Sequence, residues 1–376
     1  MRKLFLLFVS IFFGHAAIAQ KKLIQKLLSN EKDTTRSASF MPVPVLGYSQ
    51  EIGFEFGIGS LYSFYIDRKD TLNRSSNFSG TASYSTKKTY SLTLKGDAWT
   101  KHNLYHLIGE LRFGKTPFNF YGLGNNTAQA DEDALVQQQI KIAFDVEKTF
   151  INWAYTGLSL GFESYQFTDR VSGGIYSTAA NLNDRDGGNV LYLGVSQSYD
   201  TRNSNNFPTK GFFGRLTYQY AAPIFGGNNF SGSLIKANIR NFWPLAPKFV
   251  LGVQALYFTI QGSNIPFYLL PQLGNDEIMR GYYTGRYRDR NLLAAQTELR
   301  YRFSNRFGVV AFAGTGKVFA NGNYSFNDLK PNYGMGGRYF FDTAKGLSVR
   351  IDYGIGEKRT HEARQDGFYI SLAEAF

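Results

Sequence analysis

Leu347-Ser348-Val349-Arg350-Ile351-Asp352-Tyr353-Gly354-Ile355 is the stretch that decides the fold class. Its odd positions are apolar or aromatic, and its even positions are polar, charged or glycine. With a side-chain period of two, this is a strand with one greasy and one charged face. Leu293 to Phe303 repeats the pattern and sets Gln296, Glu298, Arg300 and Arg302 on one face. A soluble sandwich buries the greasy face, whereas a membrane barrel turns it to lipid and lines its lumen with the charged one. Four observations select the barrel. Many strands run about ten residues or more, aromatics crowd the strand ends, the N-terminus reads as an export signal, and the chain ends in Phe376. Leu347, Val349, Ile351 and Tyr353 are then expected to face lipid, with Arg350 and Asp352 in the lumen.

Composition points the same way. Of 376 residues only 19% are charged while 16% are aromatic, and 39 Gly stand against 10 Pro. That is strand composition with glycine at tight corners. There are no cysteines, which removes disulfide scaffolds, thiolate metal sites, cysteine nucleophiles and a lipoprotein anchor. The formal net charge is +12.

Sixteen alternating runs are expected at 43–49, 53–66, 77–86, 89–100, 104–114, 137–149, 154–168, 189–200, 211–221, 229–243, 248–262, 291–303, 307–319, 333–342, 346–356 and 367–376. The even number suits a single-chain bacterial barrel. Short periplasmic turns are expected at Thr149 to Ala154, Leu245 to Lys248, Ser304 to Arg306 and Asp342 to Lys345. Long outer loops are expected near 115–136, 169–188, 263–290, 320–332 and 357–366. Antiparallel alternation all along the chain thus predicts an all-β, 16-stranded transmembrane β-barrel spanning 43–376.

Residues 1–19, MRKLFLLFVSIFFGHAAIA, combine a basic start, an apolar run from Leu4 to Phe13 and a small-x-small end at Ala17-Ile18-Ala19. This is a secretory signal peptide, too short for a spanning helix. Residues 20–42 read as a short periplasmic segment, with Lys21 to Leu28 able to form two amphipathic turns.

Met279-Arg280-Gly281-Tyr282 lies in the 263–290 loop, between the eleventh and twelfth runs. It resembles the sixth-loop signature (hydrophobic-Arg-Gly-aromatic) of the bacterial surface antigen superfamily, the barrels of the BamA/TamA assembly proteins and two-partner secretion transporters. Asp200-Thr201-Arg202 followed by Pro208-Thr209-Lys210-Gly211 resembles that family's turn between strands eight and nine. Gly346 to Gly354 resembles its penultimate strand. The resemblance implies a sixth loop folded into the lumen and pinned there by Arg280. A buried arginine needs paired carboxylates, and Gly281 permits close backbone approach. The family's acidic partner sits in a Phe-x-Asp-x-Gly motif, but Phe312-Ala313-Gly314-Thr315-Gly316 has glycine at the acidic position. Lumen-facing Glu298 and Asp352 are the candidate replacements, with Arg300, Arg302, Arg338 and Arg350 as competing cations. Residues 20–42 are too few for a polypeptide-transport-associated domain, so the chain resembles a barrel-only member.

Other signals carry less. His102 and His106 have helical metal-pair spacing, but on a turn and strand they stand about 13 Å apart. His361 lacks a matching Ser and Asp constellation. Gly122-Leu123-Gly124-Asn125-Asn126 does not open a helix, so it is not a phosphate cradle. Arg286, Arg288 and Arg290 suit lipopolysaccharide phosphates or lumenal carboxylates better than nucleic acid. No catalytic, cofactor or metal site is assigned. The resemblance implies a Gram-negative outer-membrane barrel that assists insertion or translocation of other chains through a seam between its first and last strands. Its implied partners are outer-membrane lipid and lipopolysaccharide, client outer-membrane proteins and accessory lipoproteins. The alternative is a passive, loop-plugged pore or a structural barrel with no client. Phe376 is expected to act as a C-terminal assembly signal, on one face of the last strand with Phe368, Ile370 and Leu372.

Overall fold

The computed structural model describes residues 29, 35–49, 53–169, 171–180, 182–225 and 230–376. The expected signal peptide and the amphipathic turns Lys21 to Leu28 lie outside the described residues. One antiparallel sheet holds sixteen strands paired strictly in chain order. They are β1 (Ser39–Ser49), β2 (Gly53–Phe64), β3 (Ser76–Ser85), β4 (Tyr90–Trp99), β5 (Tyr105–Phe120), β6 (Asp133–Ile151), β7 (Ala154–Asp169) and β8 (Gly187–Asp200). The second half comprises β9 (Gly211–Ala221), β10 (Ser231–Ala246), β11 (Phe249–Ser263), β12 (Asn291–Tyr301), β13 (Phe307–Phe319), β14 (Lys330–Asp342), β15 (Leu347–Ile355) and β16 (Asp366–Leu372). An even strand count puts the start of β1 and the end of β16 at one end, here called the base.

The first strands return to the last ones. Ser39 donates to Asp342, and Lys345 Nζ donates to the Ser37 carbonyl (2.5 Å) and to Ser39 Oγ (3.2 Å). Met41 and Leu372 pack on a cluster of Leu61, Phe341 and Leu347. Outward positions are greasy: Phe54, Ile58, Leu160, Leu193, Val309 and Ile351 are all exposed. Inward positions on the same sheet are polar and covered, as at Glu147, Gln296, Glu298 and Arg350. A sheet greasy outside and charged inside is a transmembrane barrel.

Three expectations need correction. β1 begins at Ser39 rather than at 43 and holds both Pro42 and Pro44 inside an unbroken ladder with β2. Leu347 faces no lipid: it is 1% exposed, because the register shifts beside it between Phe340 and Asp342 and turns it into the Leu61 cluster. The last strand stops at Leu372 and not at 376, because Ala373 takes a φ of +71° and turns the chain inward. Phe376 is therefore 4% exposed in the lumen and shares no face with Phe368 and Ile370.

Both ends are obstructed. At the top, Phe120, Tyr176, Phe267, Tyr268 and Leu270 form one apolar cluster that spans the third, fourth and sixth loops. At the base, the β8–β9 turn stretches over the opening. Its Asn206 Nδ2 donates to Ser75 Oγ (2.9 Å) and to the Lys345 carbonyl (3.2 Å). Those partners belong to the β2–β3 and β14–β15 turns, each far around the ring from β8. The turn is long because it crosses the base.

The alternation also sorts the tryptophans. Trp243 on β10 points outward and is 43% exposed, whereas Trp99 on β4 is 1% exposed and stacks on His106 at 3.8 Å between ring centroids. In vesicles of lipids brominated on the acyl chain, a variant retaining only Trp243 is expected to lose most of its fluorescence. One retaining only Trp99 should keep its intensity.

Candidate functional site: the lumenal arginine lock

The sixth loop, 264–290, leaves β11 at the top and runs down inside the barrel before rejoining β12. Its deepest part is tied by backbone geometry as well as by charge. Gly281 has a φ of +108°, and a Cβ there would lie 2.9 Å from backbone atoms of Gly354, Ile355 and Gly356. Only a residue without a side chain lets the loop touch the β15 backbone. The Gly281 N–H donates to Tyr369 Oη on β16 at 2.9 Å. Met279, the residue before Arg280, is fully buried among Leu273, Ile278, Tyr282, Leu292 and Val318.

This seating delivers Arg280 with no exposed surface. Its Nη1 donates to Asp352 Oδ2 (2.6 Å) and its Nη2 to Glu298 Oε1 (2.5 Å). Its guanidinium lies 3.6 Å over the Phe312 ring. The three wall residues come from β15, β12 and β13, so one loop side chain ties three strands. Arg300, Arg338 and Arg350 do not displace Arg280. They share its carboxylates: Arg300 Nε donates to Glu298 (2.9 Å), and Arg338 and Arg350 donate to Asp352 (2.5 and 2.9 Å). Two further carboxylates complete the set, with Glu374 on Arg338 (2.7 Å) and Asp276 on Arg350 (2.7 Å). Arg302 lies apart from this set, donating to the Asn305 and Thr343 carbonyls at the base.

The glycine at 314 has a spatial explanation. Its cross-strand partner is Asn332 on β14, and a Cβ at 314 would lie 2.6 Å from Asn332 Oδ1. Asn332 occupies that corner and donates from Nδ2 to the Arg280 carbonyl (3.1 Å). The acid that would face Arg280 from β13 is thus replaced by an amide from β14 that grips its backbone. Strand parity alone marks Asn332, and no sequence signal marks Asp276 in the sixth loop or Glu374 beyond β16.

Higher in the lumen, Tyr282 Oη donates to the Pro331 carbonyl (2.6 Å) and accepts from the Glu357 N–H (2.9 Å). Tyr287 Oη and Lys330 Nζ both donate to Glu357 Oε1, each at 2.6 Å. Arg286 pairs with Glu362 of the loop after β15. Burial raises the Glu362 pKa, but the Gln129 N–H and the Arg286 guanidinium outweigh it and hold the carboxyl below its usual value. Arg288 has no exposed surface and lies between the rings of Phe118, Phe120 and Phe267, donating to the Gly285 carbonyl.

The turn residues form a separate clamp at the base. Asp200 accepts from Arg202 Nε (2.9 Å) and Nη2 (2.7 Å), and Arg74 adds a third cationic contact at 3.2 Å. Gly211 has a φ of +104°, and a Cβ there would meet the Thr201 carbonyl oxygen at 2.4 Å. Pro208 is buried beneath the same turn. His106, set aside as a metal ligand, lies 3.2 Å from both Asp97 and Glu147. Among the described residues no His, Asp and Glu cluster has metal-holding geometry.

Chemically, these contacts hold rather than transform: they are charge-assisted hydrogen bonds between side chains kept from bulk water. Arg280→Ala leaves Glu298 and Asp352 short of a cation and is expected to cost about 3–5 kcal/mol. It should lower the temperature at which the folded barrel unfolds on gels and open the sixth loop to trypsin. Arg280→Lys should recover only part of both, because an ammonium cannot bridge two carboxylates as a planar fork does.

Comparisons with known proteins bear on the whole barrel. A sequence comparison with curated proteins gives no match. Solved structures similar to this one include BamA from Haemophilus ducreyi lacking POTRA domains 1–3, with a TM-score of 0.53 and 13% identity over 90% of this chain and 69% of that one. CdiB from Acinetobacter baumannii gives 0.52 and 12%, covering 89% of this chain and 60% of that one. CdiB from Escherichia coli gives 0.55 and 9%, covering 90% and 62%. The chain thus spans less than two thirds of either CdiB chain, and identities this low speak for the fold alone. The profile of the Omp85 superfamily domain matches residues 45–376, nearly the entire sheet. With sixteen strands in order and that match along them, the chain belongs to the Omp85 superfamily.

Proposed function

We propose that this protein is an outer-membrane barrel that assists insertion or translocation of other polypeptide chains, acting through the seam between β1 and β16. The observation that carries this reading is the make-up of the two edge strands. The β1–β2 ladder runs without a register break from Ser39 to Ser49, so its donors toward β2 are the odd-numbered residues. Pro42 and Pro44, at even positions, then turn their nitrogens toward the seam and remove two donors from that edge. β16 spans only seven residues against eleven in β1, which shortens any ladder between them. An edge short of donors pairs weakly and accepts a foreign strand more readily than a complete one.

The obstructed ends support the same reading. The aromatic cluster and sixth loop fill the top, and the β8–β9 turn lies over the base. A route along the axis would require both to move, whereas a route through the seam would require only that β1 and β16 part. On this reading the base faces the periplasm, and clients and lipoproteins would approach there.

The chain has no native cysteine, so a single engineered pair reports on the seam. Met41→Cys with Leu372→Cys joins β1 to β16 at residues that share one cluster. Oxidised, this barrel is expected to lose its ability to speed the folding of a second outer-membrane barrel into vesicles, and reduction should restore it. Equal activity before and after reduction of a fully crosslinked sample favours a structural barrel with no client.

A further inference from the structure

The segment after β16 is built into the lumen like a bound peptide. At Ala373 the ladder ends, and the Ala373 N–H turns back to the Ser348 carbonyl (2.8 Å). Beyond that turn the segment is held mainly by side chains. Glu374 is 2% exposed and accepts from Arg338 Nε (2.7 Å) and Ser348 Oγ (2.8 Å). The Phe376 ring lies against Phe242 and Val250 from β10 and β11, 5.9 Å from the Phe242 ring. Gly252 leaves it room, since a Cβ there would stand 3.2 Å from the Phe376 ring. Arg300 closes the pocket, donating to the Phe376 carbonyl (2.7 Å) with its guanidinium 4.8 Å over the ring. The wall thus carries a carboxylate hole and an aromatic slot at the spacing of an acidic–small–aromatic tripeptide.

We propose that Arg300, Arg338, Ser348, Phe242 and Val250 form a lumenal peptide-binding site for an acidic–small–aromatic segment, which residues 374–376 fill in cis, and that its occupancy sets how firmly the sixth loop is locked. The coupling runs through shared cations. Arg338 serves both Glu374 and Asp352, while Arg300 serves both Phe376 and Glu298, and Arg280 depends on those same two carboxylates. Emptying the site leaves Arg338 and Arg300 to compete with Arg280 for them. A cavity of about 410 Å³ lies beside the hinge, bounded by Asn77, Lys95, Glu277, Leu372 and Ala373, and gives the departing segment a place to go. Because Ala373 directly follows edge strand β16, the site is joined to the seam by the turn alone. This inference rests on the lumen's geometry and stands whether or not the barrel has clients.

The test uses the full chain folded in lipid vesicles, with trypsin cleavage at Arg286, Arg288 and Arg290 as the readout of loop locking. The double variant Glu374→Gln with Phe376→Ala is expected to be cut about tenfold faster than the parent, or more, from the loss of a charged hydrogen bond and an aromatic anchor. Excess hexapeptide Ser-Leu-Ala-Glu-Ala-Phe should restore the parent rate, while Ser-Leu-Ala-Gln-Ala-Phe and Ser-Leu-Ala-Glu-Ala-Ala should not. An unchanged cleavage rate in the variant overturns the coupling. Failure of the hexapeptide to protect, or equal protection by all three peptides, overturns the binding site. Should the double variant fail to fold, Glu374→Gln alone carries the same comparison, since it keeps the aromatic anchor and removes only the charge.

Discussion

A guanidinium deprived of water must be met by equal negative charge on the spot, or the chain that carries it stays outside. Arg280 imposes that constraint on this barrel. Its four-arginine set (280, 300, 338 and 350) is matched by four carboxylates, Glu298, Asp352, Asp276 and Glu374. The balance explains why so many cations can line one wall without repelling the loop. It also ties loop and wall together: Glu298 and Asp352 gain Arg280, and Arg350 gains Asp276, only when the loop is seated. Replacing such a network by apolar residues often costs nothing, so its value lies in fixing one position for the loop rather than in raw stability.

Everything above and below that level follows from where the loop sits. With Gly281 against Gly354, the chain before Arg280 carries Leu273 and Ile278 onto the β12–β13 wall, and the chain after it raises Tyr282 and Tyr287 toward Lys330 and Glu357. The half of the barrel from β11 to β16 is therefore packed. Lower on the opposite wall, β5 and β6 carry a separate ion-paired group of Glu110, Arg112 and Lys141. The seam borders the packed half, so movement of β16 is felt by the lock before it is felt elsewhere.

Strand order, strand parity and the inward faces were legible in the sequence, because a period of two survives wherever lipid lies on one side and charge on the other. Parity alone placed Glu298 and Asp352 on the lumenal face, and in the structure both flank Arg280. Parity does not reveal where a strand stops. Leu347 and Phe376 both continue an apolar rhythm, yet a register shift beside the β14–β15 turn and a positive φ at Ala373 take them inward. Nor does it reveal partners supplied by a neighbouring strand. Asn332 fills the corner left by Gly314 only because the β13–β14 register sets the two side by side. His106 is a similar case, since its carboxylate neighbours come from strands on either side of its own.

Arg280 and its two carboxylates act as one unit that holds the sixth loop. A double-mutant cycle tests this most directly, combining Arg280→Ala with Asp352→Ala and following equilibrium unfolding in urea from lipid vesicles. Residues that share one buried network couple by about 0.5–3 kcal/mol, and a value in the upper half of that range is predicted here. Additivity within about 0.3–0.5 kcal/mol, the behaviour of independent sites, would mean that the loop is not held through this unit.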